Sequence, residues 1–134
     1  MKVALFIGRW QPLHKGHEWL FEQKLSKGIP IMIMIRDVQP DENNPLTVNQ
    51  VYTLIKKRYA NTPNVSVCVF FDIESVNYGR GVGYEVNEFV PPSDVANISA
   101  TQIRTAIAAG DQSWKNSVDP SIQEDLAKLL VPTP

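Results

Sequence analysis

The sequence predicts an α/β fold: a parallel sheet with helices on both faces, a three-layer α/β/α arrangement, in a single domain over residues 1–134. Three observations predict it. Short apolar runs alternate with helical patterns, as strands joined by right-handed crossover helices do. The longest apolar run, Ile29 to Ile35, is continuous rather than alternating, which suits a parallel strand buried on both faces. Helix starts are marked by paired capping residues, Thr47 with Gln50, Ser99 with Gln102 and Ser121 with Glu124.

The elements follow in order. Lys2 to Ile7 reads as a first, buried strand on the apolar run Val3 to Ile7. A helix is expected from about Gly16 to Leu25, ended by Gly28. Ile29 to Ile35 is the second strand. Arg36 to Pro45 holds Pro40, Asp41, Asn43, Asn44 and Pro45, the residues of a loop. Thr47 opens a helix through about Ala60, with Val48, Val51, Leu54 and Ile55 on one face. Asn61 to Pro63 is a turn and Val65 to Phe71 a third strand. Asp72 to Gly83 is a loop containing Gly79-Arg80-Gly81-Val82-Gly83. Tyr84 to Val90 alternates as a strand would and is stopped by Pro91-Pro92. Ser99 begins a helix through Ala109, closed by Gly110, and Ser121 begins a short one to Leu130.

Composition narrows the function classes. At 43% hydrophobic and 20% charged residues the chain has the make-up of a soluble globular domain. A net charge of -1 gives no general attraction to nucleic acid or to an anionic membrane, so recognition of phosphate must be local. With Cys68 alone no disulfide framework exists within the chain, and its place in a strand pattern reads as a core thiol. The N-terminal apolar run is too short for a signal peptide, and Ile29–Ile35 is too short to span a membrane. The expectation is a cytoplasmic protein.

The stretch Gly8-Arg9-Trp10-Gln11-Pro12-Leu13-His14-Lys15-Gly16-His17 carries the chemistry. It lies between a strand and a helix, where unpaired N–H groups and the helix dipole favour an anion. Two imidazoles there can donate to phosphate oxygens, and Gly16 permits close approach to the backbone. These are the attributes of a nucleoside triphosphate site. In such sheets ligands bind beyond the carboxyl ends of the strands, the edge at which His14, Arg36 and Asp72 all emerge.

The stretch GRWQPLHKGH resembles the HxGH signature of the nucleotidyltransferase superfamily, and Ile98-Ser99-Ala100-Thr101-Gln102-Ile103-Arg104 resembles its second signature, ISSTxIR. Ala100 departs from the usual Ser or Gly at a position that need not supply a side chain. The resemblance spans nearly the whole chain. It implies a Rossmann-like (HUP-type) sheet and direct transfer of a nucleoside monophosphate from a triphosphate to a small acceptor, releasing pyrophosphate. By that resemblance His14, His17 and Arg104 are catalytic, and Gly8, Arg9, Gly16, Ser99 and Thr101 bind the nucleotide and its phosphates. Mg²⁺ is implied as a companion of the triphosphate, held by phosphates and water, with no protein metal site.

Several residues have two readings. Ser99 caps a helix whatever else it does. Arg9 is a nucleotide or acceptor contact, or a solvated arginine at a strand end. Arg36 and Asp37 are acceptor contacts or a loop ion pair. Tyr84 is an acceptor or base contact, or part of a plain loop with Gly79–Gly83. Trp10, Trp19 and Trp114 read as packing, Lys15 as exposed, and Lys56-Lys57-Arg58 as a wet helix face.

Base choice divides the resemblances. Arg36-Asp37 and Asn44-Pro45-Leu46-Thr47 are similar to small cytidylyltransferase-like proteins and incline the reading to CTP. Trp114 and Val118-Asp119-Pro120 are similar to the tail of nicotinamide-mononucleotide adenylyltransferases, the alternative, which use ATP. A nucleotide-binding module without turnover is the alternative of another class. A class I aminoacyl-tRNA synthetase fragment is disfavoured by the short chain, the neutral charge and the lack of a Lys-Met-Ser-Lys-Ser stretch. Monomer and homo-oligomer both stay open.

Overall fold

The computed structural model describes residues 1–81 and 83–131. Strands β1 (Ala4–Gly8), β2 (Ile31–Asp37) and β3 (Val65–Phe71) form one sheet in the order β1-β2-β3, with both pairings parallel. Helices α1 (Lys15–Leu25) and α2 (Val48–Arg58) are the crossovers. After a long connection come α3 (Ser93–Ala96), α4 (Ala100–Ala109), a 3₁₀ turn (Gln112–Ser117) and α5 (Pro120–Leu130). Three parallel strands with helices around them make the α/β, Rossmann-like arrangement that the alternation of patterns predicts, although among the described residues the helices cover one face of the sheet rather than both.

The core explains the order. Two successive right-handed crossovers in one direction bring α1 and α2 to the same side of the sheet. There Phe21 of α1 and Val51, Leu54 and Ile55 of α2 join Ile31, Ile33 and Ile35 of β2 in one buried cluster. Ile103 and Ile107 of α4, Trp114, Val118, and Ile122 and Leu126 of α5 extend the cluster outward. Register puts Ala4, Ile31 and Val65 on the covered face, and Leu5, Met32 and Ser66 on the other. That second face is the more open: Leu5 is 50% exposed, Ile7 38% and Phe70 55%.

Several expectations need correction. The run Val3–Ile7 is not a fully buried strand, because β1 lies at the sheet edge and Leu5 and Ile7 face its open side. Tyr84–Val90 does not form a strand: it pairs with nothing in the sheet, and Tyr84, Val86 and Val90 are exposed. A strand exists only by pairing, so alternation alone does not make one. The last helix is capped two residues earlier than expected, by Asp119, whose carboxylate accepts from Ser121 N–H with Pro120 at the first helical position. Arg58 does not belong to a wet face. Its guanidinium binds Glu18 of α1 at 3.1 Å and Asp119 of the α5 cap at 3.3 Å, tying three elements together. Lys57 does stay outside, paired with Asp125.

The two sheet faces should differ in stability. Ile33→Ala is expected to cost about 2–5 kcal/mol, because its site is closed on every side, and Ile7→Ala about 1 kcal/mol or less. Equal losses in urea unfolding would show that the face bearing Ile7 is covered after all.

Candidate functional site

The turn from β1 to α1 is built around its own aromatic rings. Trp10 has a positive φ of 54° and is 6% exposed. Its indole N–H donates to the Met34 carbonyl of β2 at 3.1 Å. A Cβ on Gly8 would come within 2.8 Å of the indole, so glycine there makes room for the ring. Gly16 serves the same purpose for His14, since a Cβ would sit 2.8 Å from the imidazole Cε1. Gly16 was expected to admit a phosphate; what it admits here is a side chain of the same turn, as Gly8 does.

The histidines form a reciprocal helix cap. His14 is the N-cap of α1, and its Nδ1 accepts from Gly16 N–H at 3.0 Å and from His17 N–H at 3.4 Å. His17 reaches back, and its Nδ1 accepts from His14 N–H at 3.2 Å. Two of the amides that a bare helix start would offer to an anion are therefore occupied by an imidazole, a correction to the expected backbone cradle. The rings stack at 3.7 Å between centroids, 17° apart, and Trp10 stands edge-on to His17 at 4.9 Å. A ring nitrogen that accepts carries no proton, so each neutral imidazole holds its proton on Nε2, where it is a donor.

Burial keeps them neutral. It lowers His14 from the ordinary 6.5 to about 4. Burial and the adjacent His14 lower His17 to about 3. The stacked pair thus presents two uncharged N–H donors throughout the neutral range.

The second segment arrives by α4. Ser99 caps that helix by accepting from Gln102 N–H at 3.3 Å, one half of the expected box. Arg104, three residues after Thr101, donates to the Gln11 carbonyl at 2.6 Å and to Thr101 Oγ1 at 3.3 Å. The two motifs, far apart in sequence, therefore meet at Gln11. Both terminal nitrogens of Arg104 are thus engaged with the protein, the shorter bond being the one to the Gln11 main chain.

The remaining residues sort as follows. Arg36 pairs with Asp72 rather than with its neighbour Asp37, through Nε and Nη2, both at 2.6 Å. That bond from Arg36 holds the Asp72 carboxyl below its usual range, and Arg9 adds to the effect. Asp41, lowered chiefly by the Asn44 backbone N–H, also feels Arg9. Arg9, Arg36, Asp41 and Asp72 thus form a mixed-charge cluster near the strand ends, while Asp37 is exposed at the end of β2. Tyr84 is 60% exposed and stands edge-on to Tyr78 at 6.0 Å, in the connection that holds Gly79–Gly83. Val82 of that glycine run lies outside the described residues.

Trp10 and Trp114 are buried, as expected of packing residues. Depressions of about 410 and 200 Å³ lie beside α4 and the 3₁₀ turn and are lined by neither histidine. Among the described residues no group of three or more His, Cys, Asp or Glu side chains could hold a metal ion, and no helix is long and apolar enough to cross a membrane.

Comparison with known proteins adds relatives at low identity. No family model matches the chain. It is 20% identical to a phosphopantetheine adenylyltransferase of Chromobacterium violaceum, over 98% of this chain and 96% of that one. It is 25% identical to a nicotinamide-nucleotide adenylyltransferase of Ignicoccus hospitalis, over 94% and 91%. A solved bifunctional NMN adenylyltransferase/ADP ribose pyrophosphatase from Francisella tularensis, complexed with AMP and a manganese ion, is 26% identical with a TM-score of 0.47. That match covers 53% of this chain and 23% of the other. Similarity to the two curated adenylyltransferases across nearly the full chain supports the nucleotidyltransferase superfamily.

The low imidazole pKa values make a pH prediction. The unfolded chain takes up protons near 6.5, where the folded histidines do not. Their contribution to stability is therefore complete above pH 6.5 and is lost as pH falls toward 4 and 3. Glu18, raised by burial, works in the opposite sense, so the comparison must be with a His14→Asn/His17→Asn variant. Wild-type stability should fall more steeply than the variant's between pH 6.5 and 5, with the ring protons showing no NMR titration in that range. Ring titration near 6.5 would mean that the pair is open to water.

Proposed function

We propose that this chain is a nucleotidyltransferase that moves the adenylyl group of ATP to a small, phosphate-bearing acceptor and releases pyrophosphate. The observation that carries the reading is that Arg104 of the second motif bonds the Gln11 carbonyl in the same turn, three residues before the stacked pair His14 and His17. Their hydrogen-bonding groups, imidazole N–H and guanidinium, are donors suited to phosphate oxygens. The adenylyl group is favoured over the cytidylyl group, to which the sequence motifs alone incline, because both curated relatives above are named adenylyltransferases.

The chemistry is one of positioning. An acceptor phosphate oxygen attacks the α-phosphorus in line, a bond forms there as the bond to the β-phosphate oxygen breaks, and pyrophosphate leaves with the electron pair. Negative charge grows on the bridging and non-bridging oxygens, and preorganised donors lower the barrier. His14 and His17 present Nε2–H donors fixed by the reciprocal cap. Arg104 adds a permanent positive charge on a planar fork. Ser99 and Thr101, at the start of α4, receive the outer phosphates beside the helix dipole. Gly8, Gly16 and Trp10 set the shape of the turn. Arg9 and Arg36, near the strand ends, serve the acceptor phosphate; Asp37 and Tyr84 are further acceptor candidates. The donors at this turn are unsuited to a cation, so a divalent ion such as Mg²⁺ would be held by the triphosphate and water and would offset part of its charge.

Three measurements test this. Melting temperature with Mg²⁺ and each of the four nucleoside triphosphates should rise most with ATP, since a ligand bound only by the folded state stabilises it. A larger rise with CTP would return the base choice to the cytidylyl reading. His17→Ala should lower pyrophosphate release by about 10²–10³-fold, the scale of losing one preorganised donor. Arg104→Lys should weaken ATP binding while the fold holds. Unchanged turnover in both variants would leave the motif with a structural role only.

A further inference from the structure

We infer that Gln11 is a positioning residue for Arg104, an inference that rests on the function proposed above. Gln11 is 6% exposed, and its amide is fully engaged with one backbone residue. Nε2 donates to the Leu46 carbonyl at 2.9 Å, and Leu46 N–H donates to Oε1 at 3.0 Å. This reciprocal pair acts like a rung between two strands, joining the β1–α1 turn to the residue that precedes the α2 cap, Thr47. The backbone carbonyl of the same Gln11 receives Arg104 Nη1 at 2.6 Å. One buried residue thus fixes the loop before α2 through its side chain and the arginine of α4 through its main chain.

Packing alone does not require an amide here. Gln11 lies between buried Trp10 and Leu13 and against buried Leu46, surroundings in which an apolar side chain of equal volume would fill the space. An amide in such a place must have both ends satisfied, and here both ends are satisfied by Leu46. The arrangement defines where the Gln11 carbonyl sits, three residues before His14. The carbonyl in turn fixes Nη1 of Arg104, while Nη2 leans on Thr101 Oγ1, a longer contact at 3.3 Å that a ligand oxygen would compete for. Asp41 closes the adjoining loop by accepting from Asn43 N–H at 2.9 Å and Asn44 N–H at 2.7 Å, so the segment reaching Leu46 is itself braced.

The test is a double-mutant cycle on ATP affinity with Mg²⁺, using Gln11→Met, Arg104→Lys and the double variant, with melting temperatures taken alongside. Each single change should weaken binding about tenfold, and the double should be close to the worse single, because both act through one contact. In turnover, Gln11→Met should lower kcat/KM by about ten- to a hundredfold, the scale of a small misplacement. Independent losses that multiply, or a Gln11→Met protein with wild-type affinity, would overturn the inference. A merely structural role would lower the melting temperature without coupling to Arg104. If Gln11→Met does not fold, Gln11→Glu keeps the size and the bond from Leu46 N–H while losing the one to its carbonyl, and the same coupling is expected. Wild-type protein that binds no nucleoside triphosphate would overturn the proposed function, and this inference with it. Wild-type protein that binds, beside an unaffected Gln11 variant, would overturn the positioning role alone.

Discussion

The reciprocal cap between His14 and His17 is the contact on which the rest of the site depends. A helix start leaves amides unpaired, and most helices satisfy them with a short hydroxyl or carboxylate. Here two imidazoles do it, each accepting through Nδ1 from the backbone that carries the other. Imidazoles are larger than serine, so the turn must be shaped to take them. Gly16 gives His14 its space, and Gly8 gives Trp10 the position from which it flanks His17. The indole is then secured to β2 through the Met34 carbonyl, linking the cap to the central strand. Removing any of these pieces would disturb where the two Nε2–H groups lie.

The tertiary structure holds this turn from several sides. Phe21, one turn beyond His17, packs edge-on against Phe6, Trp10 and Tyr59, which fixes α1 over the covered face of the sheet. Arg58 binds Glu18 in the first turn of α1 and Asp119 at the start of α5. Gln11 and Arg104 attach the loop before α2 and helix α4. The mixed charges of Arg9, Arg36, Asp41 and Asp72 lie nearby but are largely exposed, so they contribute less to holding the turn than to what it could recognise.

Much of this was legible in the sequence because it is locally encoded. Apolar runs and caps located β2, β3, α2 and α4, and Gly110 ended α4 with a φ of 76° as a C-terminal glycine should. The two histidines and Arg104 were identified by motif spacing, and the fold brings their segments together. The misses have physical causes. The strand expected at Tyr84–Val90 needed a neighbour, which no local pattern reveals. That His14 is a cap was hidden because histidine is not a usual capping residue. Arg58 and Gln11 were missed because their partners lie 40 and 35 residues away, at Glu18 and Leu46, and nothing in their own surroundings announces them.

The cap also settles how the site would treat charge. Because Nδ1 of each ring is held by backbone N–H, the proton is confined to Nε2, and burial keeps a second proton away down to acidic pH. The histidines are therefore fixed dipoles rather than switches, unlike exposed imidazoles that gain charge near neutrality. Under the proposed function this division is useful. Arg104 supplies a constant attraction that draws in a triphosphate. The neutral imidazoles add directional stabilisation where charge develops, without the strong hold on departing pyrophosphate that further full charges would exert. Interactions stronger in the transition state than in either ground state are the ones that raise turnover. A buried, stacked, uncharged pair beside a single arginine meets that requirement better than a cluster of lysines would.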